Sequence, residues 1–303
     1  MKRALLIMDT TATRKYASAR ALDERLRGET VNADSMQVYR DLRVLTARPS
    51  REEEARAPHH LYGYVGAGDL YSTGRWLSDA LTAITEIQRR GATPILVGGT
   101  GLYFKALTEG LADIPAADPD LRTALRERAN AEGAPALHAE LAARDPVTAA
   151  RLAPNDAPRV LRALEVLETT GESISTLQAN TKPALLAEQW VGLALTPGRD
   201  ALYAAIDARF EAMLAAGALD EVRAFAARGL DPALPAMKAH GAPALMAHLR
   251  GEMSMVGAAG VAKRDTRRSA KRQFTWIAGQ MPDWPRVTAA DLQARIATAL
   301  GLL

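Results

Sequence analysis

The chain predicts an α/β fold built on a parallel sheet, and three stretches of sequence carry that prediction. Leu5–Met8, Thr30–Ala33 and Pro94–Val97 are short apolar or β-branched runs. Each leads into a polar or glycine-rich turn and then into a helix-compatible segment. Strand, turn and helix in series is the pattern of parallel strands joined by crossover helices. In such sheets ligands lie beyond the carboxyl ends of the strands, so the three turns share one edge.

In the first unit, Leu5–Met8 runs into Asp9, Thr10, Thr11, Ala12, Thr13, Arg14, Lys15 and Tyr16, followed by the helix-compatible stretch Ala17–Leu26. A P-loop places G-x-x-x-x-G-K-[ST] between a strand and a helix. Lys15 stands where the P-loop lysine stands, Asp9 and Arg14 take the glycine positions, and Tyr16 takes the hydroxyl position. Successive backbone N–H groups and the helix N-terminus suit such a loop to a diphosphate, so residues 9–16 are the candidate diphosphate site. Asp9 sets a Cβ and a negative charge where phosphate would approach. An ordinary strand–turn–helix is the alternative for this stretch.

The second unit ends at Asp34, a carboxylate at the ligand edge that could act as a general base or cap the following turn. The third ends in Gly98-Gly99-Thr100-Gly101, which offers backbone N–H groups and a hydroxyl to a phosphate or a polar substrate, and which equally suits close packing. His59 and His60 are adjacent, with no cysteine and no H-x-x-x-H spacing, so no metal-ligand role is expected of them.

From Asp118 to Gly171 the texture becomes rich in Ala, Leu and Arg. It predicts helices over 118–132, 134–143, 146–152 and 156–170, with Asp118, Asp145 and Asn155 as N-caps. Residues 118–189 are therefore expected to form an all-helical insertion, and residues 1–117 with 190–303 the α/β core. Strand character returns at Trp190–Leu195. Tyr203, Ile206, Phe210, Met213 and Leu214 then form the core face of an amphipathic helix, with Arg209 on another face. The stretch 225–243 reads as loop, and a final helix starts near Asp291.

At 303 residues and 48% hydrophobic content, the chain is long enough for a large core. It has no cysteine, which excludes disulfides and thiolate metal sites. The N-terminal apolar run is too short for a signal peptide or a membrane span, so a cytoplasmic protein without membrane contact is expected. Net charge is only +3, but Lys263, Arg264, Arg267, Arg268, Lys271 and Arg272 fall within ten residues. Arg264, Arg268, Lys271 and Arg272 share one helical face, which could track a phosphate backbone or simply be solvated.

Several motifs recur in one order: Asp34-Ser35-Met36-Gln37-Val38-Tyr39-Arg40, Thr46-Ala47-Arg48-Pro49, Pro58-His59-His60-Leu61, Leu96-Val97-Gly98-Gly99-Thr100-Gly101-Leu102-Tyr103 and Ala270-Lys271-Arg272-Gln273-Phe274-Thr275-Trp276. With Tyr71-Ser72, Arg75, the run Asp156 to Val166, and Arg209-Phe210, they make the chain resemble the tRNA dimethylallyltransferase family from residue 3 to about 290.

The resemblance implies a P-loop-type, nucleotide-binding sheet core flanked by helices. It implies dimethylallyl diphosphate as donor, Mg²⁺ as assisting ion and a tRNA anticodon stem-loop as acceptor, with N6 of the adenosine at position 37 as target in tRNAs reading codons that start with U. A monomer is expected. The family's catalytic positions map to Asp34 as general base, Thr100 beside the diphosphate and target base, and Arg209 on the diphosphate. Ser35, Met36 and Gln37 map to the target-base pocket. Other tRNA contacts map to Arg122, to Pro158, Arg159, Val160, Leu161 and Arg162, and to Lys238. The basic helix adds Arg264, Arg268 and Lys271.

The chain departs from the family at Thr10, Leu45, Gly66-Ala67, His240, Asp265 and Ser269, besides Asp9, Arg14 and Tyr16. These departures open a second reading, a catalytically weakened or inactive homologue that retains tRNA binding. A P-loop kinase or nucleotidase is a third, and it has no use for the tRNA-side motifs.

Overall fold

The structure is a computed structural model, and it describes residues 2–10, 25–288 and 292–303. By contacts the chain divides into two units, Met1–Thr108 with Ala184–Leu303, and Glu109–Pro183.

The first unit is built on strands β1 (Ala4–Asp9), β2 (Gly28–Asn32), β3 (His59–His60), β4 (Thr93–Gly98), β5 (Trp190–Leu195) and β6 (Arg286–Val287). They form one sheet in the order β3-β2-β4-β1-β5-β6, and every pair is parallel. β1 is central, with Ile7 opposite Val97 on one side and Leu193 on the other. Its six residues are all buried because both faces of the sheet are covered. Ala4, Leu6 and Met8 enter the larger core, with Trp76, Phe104 and Phe225. Leu5 and Ile7 point the other way, against Ile296 and Ala299. The two-residue alternation of a strand thus serves two cores from one unbroken apolar run.

Before β4 come α1 (Arg51–Arg56) and α2 (Thr73–Arg89), and after it α3 (Gly101–Thr108). Ser50 and Glu53 cap α1 reciprocally, and the Ser72 hydroxyl accepts the Arg75 N–H at 3.2 Å to start α2. The Trp76 indole donates to the Asn32 carbonyl at 2.8 Å, tying α2 to the end of β2.

The second unit contains α4 (Pro119–Glu132), α5 (Ala134–Arg144), α6 (Pro146–Ala149), α7 (Ala157–Thr170) and α8 (Ile174–Ala179). Leu125, Leu137, Leu141, Val160 and Leu164 form its own core. Asp118 and Asp145 cap α4 and α6 as their positions suggest. The cap of α7 is Asp156, not Asn155, because the carboxylate of Asp156 reaches the Arg159 N–H. The unit spans a shorter stretch than 118–189 at its C-terminal end and a longer one at its N-terminal end. The N–H groups of Ala184 and Leu185 both donate to the Leu107 carbonyl, at 3.0 and 2.9 Å, which returns the chain to the first unit before β5.

Beyond β5 lie α9 (Arg199–Ala215), α10 (Ala218–Ala226), α11 (Ala242–Leu249), α12 (Met255–Gln280) and α13 (Leu292–Leu302). The sequence reads 225–243 as loop, yet the end of α10, a 3₁₀ turn over Pro235–Lys238 and the start of α11 fall within it. Pro243 lies in the first turn of α11, where a missing N–H costs nothing. β3 and β6 are two residues each and leave no apolar run to read. The basic segment 263–272 is the middle of α12, which Ser254 caps.

Candidate active site

The ends of β2 and β4 are stitched together at the carboxyl edge of the sheet. Ala33 N–H donates to the Val97 carbonyl at 3.0 Å, and Thr100 N–H returns a bond to the Ala33 carbonyl at 3.1 Å. The Ser35 N–H donates to Thr100 Oγ1 at 2.9 Å. Asn32, fully buried, shapes the turn from within. Its Nδ2 donates to the carbonyls of Asp34 and Leu61, both at 3.0 Å, and its Oδ1 accepts the Asp34 N–H at 2.9 Å. Asp34 Oδ1 in turn accepts the Met36 N–H at 2.9 Å. The carboxylate therefore caps its own turn, and that bond fixes its orientation at the sheet edge.

The three glycines of the β4 turn make room for neighbours. A Cβ on Gly98 would lie 2.0 Å from the Ala33 carbonyl oxygen. On Gly99 it would lie 2.3 Å from Gln273 Nε2, which donates to the Gly99 carbonyl at 3.0 Å. On Gly101 it would lie 2.2 Å from Trp276 Nε1. Gln273 and Trp276 are one turn apart on α12, so the turn seats that helix against the sheet. Of the two sequence readings, close packing accounts for all three glycines, and the Thr100 N–H is already spent on Ala33.

A cavity of about 320 Å³ opens at this edge. Asp34, Ser35, Met36, Gln37, Thr100 and Arg209 all line it. Ile206, Phe210 and Met213 of α9 add an apolar wall. Sequence reasoning missed several lining residues as site residues: Thr46, Arg272, Gln273, Trp276 and the apolar residues of α9, which it took for core alone. Arg272 carried a signal, since it lies on the basic face of α12, and it is exposed while reaching the cavity.

Gln37 lines the cavity and also braces its wall. It is 1% exposed, and its Nε2 donates to the carbonyls of Thr46 and Ala47, at 2.8 and 2.9 Å, so its amide nitrogen holds the 46–47 backbone. Asp9 ends β1, with Thr10 directly after it, and both are buried. Thr10 Oγ1 has no hydrogen-bond partner among the described residues. Thr11, Ala12, Thr13, Arg14, Lys15 and Tyr16, and the expected helix start at Ala17, lie outside the described residues.

Arg264, Arg268 and Lys271 are exposed along α12, with Asp265 3.6 Å from Arg264 and 3.7 Å from Arg268. Lys238 is exposed at the end of its 3₁₀ turn. In the helical unit, Arg159 is exposed and pairs with its cap Asp156 at 2.7 Å, while Arg122 and Arg162 flank Glu165 at 3.5 and 3.4 Å. Pro158 is exposed, Leu161 is half-buried, and Val160 is fully buried in that unit's core. Val160 is thus corrected from an RNA contact to a packing residue. Its place on the inward face of α7 gives the reason.

His240 stands in the cavity wall before Gly241. Although the residue is exposed, protein on the cavity side desolvates the ring and holds its pKa below the ordinary 6.5. Asp34 and Asp265 oppose that shift, and Arg272 and Arg209 reinforce it. Above 6.5 the ring is neutral in folded and unfolded chains alike. Below it the unfolded chain takes a proton that the folded site resists, so stability is lost as pH falls from 6.5 through the folded pKa. His240→Leu is therefore expected to lose less stability than the parent between about pH 7.5 and about pH 5, read by thermal unfolding.

Among the described residues no group of three or more His, Asp or Glu side chains is placed to hold a metal ion, and no helix is long and apolar enough to cross a membrane.

The family model described as IPP transferase matches residues 37–280. The chain is 53% identical over 298 residues to a tRNA dimethylallyltransferase of Bradyrhizobium sp. (strain BTAi1), covering 98% of each chain. It is 55% identical over 280 residues to that of Methylocella silvestris, covering 92% of each. Among solved structures, a full-length tRNA isopentenylpyrophosphate transferase from Bacillus halodurans is 34% identical, with TM-score 0.68, over 98% of this chain and 94% of that one. A eukaryotic dimethylallyltransferase captured acting on tRNA is 28% identical, with TM-score 0.82, over 97% of this chain and 75% of that one.

Proposed function

The chain belongs to the IPP transferase family, and we propose that it transfers the dimethylallyl group of dimethylallyl diphosphate to N6 of an adenosine in tRNA. The finer target, adenosine 37 of tRNAs reading codons that start with U, is part of the same proposal. The observation that carries it is the joining of Asp34 and Thr100 through the Ser35 N–H, at the mouth of a cavity that Arg209 also lines.

The chemistry follows from the acceptor. The lone pair on adenine N6 is delocalised into the ring, so the nitrogen needs a base as the new bond forms. Asp34 would take that proton, its carboxylate oriented by the Met36 N–H. As the C–N bond forms, the allylic C–O bond breaks and diphosphate leaves with the electron pair. Arg209 and Arg272 are the cations placed in the wall to meet that charge. Ile206, Phe210 and Met213 offer the apolar surface that a five-carbon chain requires. To reach the cavity the base must leave its stack in the anticodon loop.

The residues present fit a magnesium ion that arrives with the diphosphate. Magnesium keeps much of its water and takes few protein oxygens, so the diphosphate itself would supply part of its coordination. The Thr100 hydroxyl, in the cavity lining, is the described oxygen that would face the bound group. When bound, the ion would offset charge on the departing diphosphate.

Transfer of labelled dimethylallyl to a tRNA transcript, with mass-spectrometric location of the modified base, tests the proposal. Absence of product under saturating donor would sink it. The buried Asp9 at the head of the loop favours the second reading, a chain that docks tRNA but transfers poorly, and a tight tRNA complex without product would establish that reading.

The exposed face of α12 is proposed to follow the tRNA backbone. Replacing Arg268 and Lys271 together with glutamine is expected to weaken tRNA binding and to flatten its salt dependence by about one unit of slope for each phosphate no longer engaged. Binding titrations across a salt series check this, and an unchanged slope would mark a merely solvated face.

A further inference from the structure

Residues 43–48 form a strap along the cavity wall, held at both ends. At one end the carboxylate of Glu221, on α10, accepts three successive backbone N–H groups. Arg43 and Val44 donate to Oε1 at 2.6 and 2.9 Å, and Leu45 donates to Oε2 at 2.8 Å. Successive N–H groups converging on one anion form a nest, and here the anion is a side chain of the same molecule. At the other end Gln37 holds the carbonyls of Thr46 and Ala47. Between the clamps, Leu45 and Thr46 line the cavity. Ala47 sits at φ +50°, a left-handed conformation that persists only where its surroundings enforce it. Leu45 is 5% exposed and closes against Gly241, where a Cβ would come within 3.2 Å of its Cδ1. Glu221 is not itself a lining residue.

We propose that Glu221 is a positioning residue for the transfer reaction, holding Leu45 and Thr46 in the cavity wall by binding the N–H groups of residues 43–45. The proposal rests on the transferase reading for its kinetic consequence and on the nest alone for its structural one. Among the described residues, Glu221 is the acceptor for all three of those N–H groups. Loss of the carboxylate would free the Leu45 end while Gln37 still held the Ala47 end, so the wall would loosen without the fold being lost.

The test uses the full chain with Glu221→Gln, which turns one acceptor oxygen into an N–H₂ facing a backbone N–H. Asp220→Asn is the control, since Asp220 is exposed and pairs with Arg223 in the same helix. Amide hydrogen exchange at residues 43–45 is expected to quicken about tenfold or more in Glu221→Gln and to stay at the parent rate in the control. With tRNA and dimethylallyl diphosphate, kcat/KM is expected to fall about tenfold, while the unfolding temperature stays near the control's. In a background already carrying Leu45→Ala, the same change should cost much less, because both act through one wall. Should Glu221→Gln fail to fold, Glu221→Asp, which keeps the charge but draws it back, is read in the same way. Parent-like exchange in the glutamine variant overturns the proposal, as do parent-like kinetics or losses that multiply independently with Leu45→Ala. If the parent transfers no prenyl group, the transferase reading fails while the exchange measurement still decides the nest.

Discussion

Asp34→Asn is expected to slow prenyl transfer by about 10²- to 10⁴-fold, the range for loss of a positioned general base, with tRNA affinity nearly unchanged. The amide is close in size to the carboxylate, and its oxygen can still accept the Met36 N–H that Asp34 Oδ1 holds at 2.9 Å. The turn should therefore survive, and the loss should lie in proton acceptance alone. Single-turnover transfer with the variant in excess over tRNA isolates that step. A variant that transfers at the parent rate would remove Asp34 from the mechanism, leaving it as the cap of its own turn.

Gly98→Ala is expected to destabilise the first unit by about 3 kcal/mol or more, at or beyond the usual upper range for overpacking. The added Cβ would meet the Ala33 oxygen at 2.0 Å and its carbonyl carbon at 2.1 Å. Both belong to the backbone of the neighbouring strand's exit, so no side chain can swing aside to admit the methyl group. Relief requires the β2 and β4 exits to part, which breaks the Thr100-to-Ala33 bond and separates Asp34 from Thr100. Gly260→Ala provides the contrast. It lies inside α12 with nothing within 4 Å of the added carbon, and is expected to stabilise by about 1 kcal/mol through helix propensity. Urea unfolding of the two variants and the parent measures both effects.

The sheet was legible where strands are long and apolar. Trp190–Leu195 stands at its expected bounds, and the run Leu5–Met8 lies within β1. It was illegible where pairing is brief, as at β3 and β6, because two residues give no periodicity. α11 was lost to its own start signal, since Gly241 and Pro243 read as loop punctuation when taken apart from the helix they open. At the site, Asp34 and Thr100 could be picked out because each stands just past the carboxyl end of a strand. Arg209 came from the resemblance, and the structure places it in the same wall. Glu221 and Gln273 gave no local sign, because their partners lie up to 178 and 174 residues away in the chain. The glycines at 98, 99 and 101 were visible as glycines, but what they accommodate belongs to other elements.

The central position of β1 sets the order in which the molecule can be completed. On one side β1 pairs with β4, and on the other Ala4 meets Trp190 and Asp9 meets Leu195. On the ribosome β1 emerges well before β5 and keeps an unpaired edge until residue 195 has followed. Its second face waits longer still, for Ile296 and Ala299. Closing contacts so distant in sequence is slow, and an open apolar strand edge is a template for self-association. Chains arrested before β5 should therefore aggregate, whereas the helical unit, whose core lies within Glu109–Pro183, has all its partners as soon as it is made.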